Sequence, residues 1–396
     1  MASSYIVAGA RTPIGKMSGA LSSFSAADLG GFAISAALER AGVAPEEVQH
    51  VIMGQVLMAG QGQVPSRQAA VKAGIPMSVP SVNVNKVCLS GLNTIYLANQ
   101  MIASGDAAIV VAGGMESMTN APYLADGARA GFRYGNTELR DAIIADGLWC
   151  AFDACLMGLG TDRYAGSEQI SREAQDEFAY GSHMKASKAI EGGVFADEIV
   201  PLDVRVRANG SWNELTFDTD EGPRPDTTVE GLSKLRPVFD PKGTVTAGNA
   251  SQINDGAAAV VLMSLDRAKE LGLEPIAFVR EWAAAGVKPD EMGIGPAVAV
   301  PKLLDKSGLK LDDIDLVEIN EAFASQSVYC MRTLELDPET TNVNGGAIAT
   351  GHPLGATGAI LTVKILGELK RRSAKRGIVT MCIGGGMGFA YLLEMA

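Results

Sequence analysis

A-L-E-R-A-G-V-A-P-E-E-V-Q-H-V-I-M-G, residues 37–54, returns as L-L-D-K-S-G-L-K-L-D-D-I-D-L-V-E-I-N at residues 303–320. Gly42 falls over Gly308, and the acidic pair Glu46-Glu47 falls over Asp312-Asp313. Each copy reads as the end of a helix, a glycine cap, a short turn opened by acidic residues and a buried β-branched strand. Farther along, Val84-Asn85 parallels Val343-Asn344, and Gly113-Gly114 parallels the glycines at 384–386, in the same order. The chain is a duplication.

Both halves alternate apolar strand runs, such as Ile109 to Ala112 and Ile378 to Cys382, with helical patterns such as Leu92 to Ala103 and Ala359 to Arg371. That alternation predicts a layered α/β architecture with parallel or mixed sheets. Residues 119–247 interrupt the duplication with charge and turn signals, among them E-G-G at 191–193 and E-G-P-R-P-D at 221–226. Helices are expected there over about Thr161 to Glu191. Insertions of this length carry binding or assembly functions more often than they are decoration. The expected organisation is 1–118 plus 248–270 as the first half, 119–247 as an inserted loop domain and 271–396 as the second half.

At 396 residues the chain exceeds what one hydrophobic core holds, and 47% hydrophobic content suits a soluble globular protein. Apolar runs such as Ala257 to Met263 are far short of the ~18 residues of a membrane span. No secretory leader pattern opens the sequence, and five cysteines without framework spacing fit a reducing, cytoplasmic setting. The net charge of -12 disfavours nucleic acid and anionic membrane as partners. An anionic ligand needs a local basic patch, and Arg205, Arg207, Arg224, Lys234 and Arg236 offer one; a solvated loop face is the bland alternative. There are 46 glycines, against about 28 at the average usage of ~7%. They crowd around three residues.

These are Cys88 in V-N-K-V-C-L-S-G, His352 in G-G-A-I-A-T-G-H-P-L-G and Cys382 in C-I-G-G-G-M-G. A thiol attacks as its thiolate, and glycine lets backbone N–H groups come close to a reacting carbonyl. Cys88 lies between a strand and an opening helix, whose N-terminus is expected to lower the thiol pKa. A buried inert cysteine is the competing reading. Of the three histidines, His50 and His183 read as surface or packing residues. His352, in a rigid glycine-rich turn before Pro353, can present its imidazole as a general base. Two thiols and one imidazole suggest acyl transfer with two distinct cysteine roles.

With V-V-A-G-G-M-E-S-M-T-N-A-P (110–122), T-A-G-N-A-S-Q-I-N-D-G-A-A (246–258) and I-N-E-A-F-A (319–324), these segments make the chain resemble the thiolases from end to end. Within that family it is most similar to the acetyl-CoA C-acetyltransferases, which join two acetyl-CoA into acetoacetyl-CoA plus CoA or run the reverse thiolysis. The resemblance implies the thiolase fold, a five-layer α-β-α-β-α arrangement with the central helices between two sheets. It implies Cys88 as nucleophile, His352 as base, and Cys382 as the acid/base at the α-carbon. One oxyanion hole would combine His352 with a water on Asn320; the other would use the N–H groups of Cys88 and Gly384. For coenzyme A it implies Ser251, Arg224, Met157, Phe239, Met292 and Phe323. It further implies no cofactor, no metal, acetyl-CoA, acetoacetyl-CoA and CoA as partners, and a homotetramer (a dimer of dimers) assembled through about 120–145. One departure stands out: Leu156 precedes Met157-Gly158 where short-chain members commonly carry histidine, which bears on acyl preference.

Three other functions compete. A decarboxylating ketoacyl synthase needs histidine or asparagine where Cys382 stands. A cysteine hydrolase would use Cys88, Asn320 and His352, but no hydrolase signature surrounds the cysteine. A zinc or purely structural CoA module lacks ligand spacing, since Cys150 and Cys155 have no neighbouring histidine. Within the family, the alternative is a broad-range 3-ketoacyl-CoA thiolase of fatty-acid β-oxidation.

Overall fold

The computed structural model describes residues 4–208 and 211–396, with 207 and 208 as backbone only, so the Arg207 side chain and residues 1–3 lie outside the described residues. The repeated stretch takes one shape twice. Helix Ala26–Ala41 ends at Gly42 (φ 64°), whose N–H reaches the carbonyls of Glu39 and Leu38. Helix Gly295–Ser307 ends at Gly308 (φ 68°), reaching Asp305 and Leu304. A left-handed cap of this kind is open to glycine without strain. One turn of 3-10 helix follows in each copy, Pro45–Glu47 and Leu311–Asp313, and then a strand, His50–Gly54 and Leu316–Ile319.

Those strands occupy equivalent places in two half-sheets. The first runs, from its free edge, Ser81–Val84, His50–Gly54, Ile109–Ser117, Asn254–Met263, Tyr5–Arg11; the second runs Leu316–Ile319, Arg376–Ile383, Met387–Met395, Ala277–Gly286. In both, an inner parallel pair gives way to antiparallel neighbours. Where two separate sheets were expected, the halves join into one mixed sheet: Tyr5 pairs with Phe278 and Ile6 with Ala277. The sheet folds around the two central helices, Ser90–Ser104 and Thr357–Arg372, which pack on each other. Leu92, Ile95, Ile360, Leu361 and Ile365 from these helices meet Val260, Val379, Met381 and Phe389 from both half-sheets in one buried cluster. Burying each such side chain contributes ~1.5–3 kcal/mol. Helix Ala26–Ala41 covers the outer face of the first half and Gly295–Ser307 that of the second, completing five layers.

The central helices start close together because glycine permits it. A Cβ on Gly114 would stand 2.0 Å from the Gly355 carbonyl oxygen and 2.8 Å from Ala356 Cα. Both helix starts, and the residues just before them, thereby face the same point.

The insertion folds as helices and a hairpin against this frame. The helices expected over about Thr161 to Glu191 are two, Met157–Ser167 and Arg172–Glu191. The break has a local cause: Gln169 is left-handed (φ 55°), and Ser171 caps the second helix by accepting from Ala174 N–H. Strands Leu202–Ala208 and Ser211–Phe217 form the hairpin. Arg11 on the first strand, wholly buried, ties the insertion down through Asp220 at 2.8 Å and Glu198 at 3.3 Å. Removing either carboxylate would leave charge unbalanced in the interior.

Candidate active site

Cys88 sits in the turn that connects strand Ser81–Val84 to the first central helix. Its predecessor Val87 is left-handed (φ 50°), a strained conformation for a β-branched residue. Local bonds hold it there. Val87 N–H donates to Asn85 Oδ1 (3.0 Å), Lys86 N–H donates to Ser90 Oγ (2.9 Å), and that hydroxyl donates to the Val87 carbonyl (2.6 Å).

The N–H groups of Gly384 and of Cys88 itself lie near the Cys88 sulfur and favour its charged form. Gly384 fits only as glycine: a Cβ would lie 2.3 Å from Met157 Cε and 3.1 Å from Val87 Cγ1. The start of a helix does not by itself make Cys88 a thiolate. Burial pushes the thiol up to about 11, against the two N–H groups, and Glu116 adds to the rise. The resting residue is a thiol and needs a base.

Burial pushes His352 down to about 4, so the imidazole is neutral and able to accept a proton. Its tautomer follows from its neighbours. Thr357 Oγ1 donates its one proton to the Pro353 carbonyl (3.0 Å) and therefore accepts from His352 Nδ1, 2.6 Å away. Nε2 is left without a hydrogen, 3.4 Å from Asn320 Nδ2. Asn320 Oδ1 is buried with no protein hydrogen-bond partner, and Asn320 N–H donates to the Thr380 carbonyl beside Cys382. Cys382 lies near the end of strand Arg376–Ile383; its thiol is held well above the ordinary range by burial, with the thiols of Cys88 and Cys330 adding to the effect.

Several supporting groups were not singled out from the sequence. Glu116 accepts from the N–H groups of Gly355 (2.8 Å), Val56 (3.0 Å) and Leu57 (3.1 Å), locking the His352 loop to the first half. Burial pushes this carboxyl up to about 7 despite those three bonds. Asn254 Oδ1 accepts from His352 N–H (3.0 Å). Glu321 accepts from Ser182 Oγ, Asn342 Nδ2 and Ile348 N–H, bracing the segment that leads to His352. Cys330, buried within reach of Cys382, was likewise unmarked. Glu116, Asn254 and Glu321 do lie inside quoted motifs, which was the available signal; their partners are remote in sequence.

A mainly apolar cavity of about 310 Å³ leads up to His352. Met157, Phe239, Ser251 and Phe323 line it, together with Leu148 and Leu156. Met292 is buried beside Met157 and Gly385 on an adjoining small void instead. Arg224 is exposed outside the cavity, its N–H donating to His183 Nδ1 (3.2 Å). His183 is buried, and burial with the Arg224 charge pushes it down to about 4. In the basic cluster, Arg205 pairs with Glu214 and Lys234 with Glu230. No group of three or more acidic, histidine or cysteine side chains is placed to hold a metal ion among the described residues, and no described helix is long and apolar enough to cross a membrane.

A duplicated α/β frame presenting a buried thiol, a neutral imidazole with a free Nε2 and a second thiol defines a cysteine-dependent acyltransferase. Residues 4–266 match the thiolase N-terminal domain and residues 273–395 the thiolase C-terminal domain. The chain is 51% identical to the acetyl-CoA acetyltransferase of Cupriavidus necator, over 98% of each chain, and 48% identical to the probable acetyl-CoA acetyltransferase of Escherichia coli, with the same coverage. The crystal structure of the Bacillus anthracis acetyl-CoA acetyltransferase superposes with a TM-score of 0.96 at 42% identity, covering 100% of this chain and 99% of that one. The chain belongs to the thiolase family.

Proposed function

We propose that the chain is an acetyl-CoA C-acetyltransferase, condensing two acetyl-CoA to acetoacetyl-CoA and CoA and catalysing the reverse thiolysis. What supports this is the nearness of the Cys88 and Cys382 thiols, a hydrogen-free His352 Nε2 beside Asn320, and an apolar cavity whose lining includes His352. His352 Nε2 takes the Cys88 proton as the sulfur attacks the thioester carbonyl. The N–H groups of Cys88 and Gly384, near the sulfur, then hold the developing oxyanion. The C–S bond to CoA breaks, CoA leaves with the proton of the Cys382 thiol, and the acetyl group stays on Cys88. The Cys382 thiolate removes an α-proton from the second acetyl-CoA; His352 and a water on Asn320 hold the enolate, which attacks the acyl-Cys88 carbonyl, the C–S bond breaks to release acetoacetyl-CoA, and Cys88 takes back its proton from His352.

The reaction consumes only CoA thioesters, and no step calls for a cofactor or metal. Met157, Phe239, Ser251 and Phe323 flank the pantetheine, Met292 supports Met157 from behind, and Arg224 reaches the adenine end. The 119–247 insertion covers the coenzyme. Five unpaired cysteines support a cytoplasmic setting.

One observation favours a second reading, a broad-range 3-ketoacyl-CoA thiolase. Leu148, Leu156 and Leu354 give the cavity an apolar wall with room for more than an acetyl group. Comparing thiolysis of acetoacetyl-CoA with that of 3-ketooctanoyl-CoA decides between them. The acetyltransferase reading expects the short substrate to have the higher kcat/KM; equal or greater kcat/KM for the longer one would replace it with the broad-range enzyme.

A further inference from the structure

Two cysteines outside the mechanism face each other. Trp149–Cys150 pairs antiparallel with Cys155–Leu156, Cys150 directly opposite Cys155. Directly opposed residues of such a pair have Cα atoms about 4.5–5.5 Å apart, inside the ~4.4–6.8 Å that a disulfide spans. Both thiols are free and buried, and both border the small void shared with Met157, Tyr164, Met292 and Gly385. Cys150 Sγ is engaged with Asp153, donating to Oδ2 (3.2 Å) and accepting from its N–H (3.4 Å). The turn between them is open to solvent at Ala151, Phe152 and Ala154, which gives a small oxidant access.

The location gives such a bond a consequence. Leu148 precedes one strand and Leu156 ends the other, and both line the cavity that reaches His352. Phe152 in the turn lies over Gly385, next to the Gly384 donor.

We propose that Cys150 and Cys155 are a reversible oxidation site, a cross-strand disulfide that fixes the spacing of Leu148 and Leu156 in the cavity wall. Each thiol gives up its proton and one electron, the sulfurs join, and the two electrons reduce a small disulfide such as glutathione disulfide to two thiols. Cys150 leaves Asp153 to make the bond. The stiffened wall adjusts less to an entering acyl-CoA, so KM rises several-fold at unchanged kcat; this last consequence rests on the proposed function.

The test exploits the sequence: trypsin, cutting after Arg140 and Arg163, releases both cysteines in one peptide with no third. After glutathione disulfide and a maleimide quench, that peptide is expected lighter by the two thiol hydrogens and free of maleimide, with dithiothreitol restoring double alkylation. In Cys150→Ser, Cys155 is expected to stay reactive. The oxidant should raise KM in the wild type and not in the Cys150→Ser/Cys155→Ser double variant, which cancels any effect on Cys88 common to both. Two separately alkylated or separately glutathionylated thiols in the wild type would overturn the proposal. A protein without thiolysis activity whose peptide still closes would refute the proposed function and leave the site standing.

Discussion

The proton on His352 is decided by Thr357, a residue five positions away that makes no other contact with the reacting groups. Its hydroxyl is already committed to the Pro353 carbonyl, so it can only accept from Nδ1, and Nε2 carries no hydrogen, as the proposed transfer of the Cys88 proton requires. Thr357→Val would strand a buried donor at a cost of ~1–3 kcal/mol and free the ring to change tautomer. The expected outcome is a kcat lower by roughly 10- to 100-fold with KM unchanged, while Thr357→Ser stays within a few-fold of wild type. Equal losses in the valine and serine variants would show a packing role instead. At this scale Cys88, His352, Cys382 and Asn320, the residues the proposed mechanism uses, stand out in the sequence because each sits in a compact motif whose residue types suit that chemistry. Thr357 was not, since a threonine on a helix start has many ordinary uses and only its distance to Nδ1 gives it this one. The expected low thiol pKa for Cys88 came from the helix start alone; depth of burial, which no local pattern reports, outweighs it.

Elements meet here through backbone rather than side chains. Strand Ile109–Ser117 touches the loop before helix Thr357–Arg372 at Gly114, and Glu116, two residues on, clamps that loop through Gly355 N–H. Gly114→Ala would drive a Cβ into backbone atoms that cannot rotate away. Overpacking of this kind costs ~1–3 kcal/mol or more, and since the displaced loop carries His352, activity should fall with stability. Gly181→Ala, on the Arg172–Glu191 helix with open space around it, should be neutral or gain about 0.4–1 kcal/mol. Urea unfolding of the two variants checks both directions; a Gly114→Ala protein as stable and active as wild type would refute the close-contact account. The duplicated helix, cap, turn and strand were legible because caps and strand periodicity are local. The join between the half-sheets was not: two backbone pairs, Tyr5 with Phe278 and Ile6 with Ala277, leave no side-chain signature.

For the molecule as a whole, the segment from Tyr123 to Leu139 leaves large apolar groups in solvent: Tyr123 is 66% exposed, Leu139 60%, and Tyr134 fully. Strand Ser81–Val84 ends its sheet with Val82 also exposed. An open edge and an apolar arm are surfaces that a partner copy would cover, and the homotetramer we propose uses both. Light scattering is expected to give four chains; two chains at every concentration would remove the arm from assembly and leave the catalytic reading intact. Within one chain, duplication does something neither half does alone. The first half brings Cys88, and the second brings His352 beside Asn320, and Cys382 and Gly384 near the Cys88 sulfur. In the proposed mechanism the two thiols do different work in one site, and intact-mass measurement after mixing with acetyl-CoA tests that division most directly. Wild type and Cys382→Ala should each gain one acetyl group, located on Cys88, while Cys88→Ala gains none; an acetylated Cys88→Ala, or a folded Cys382→Ala that stays unmodified, would contradict it.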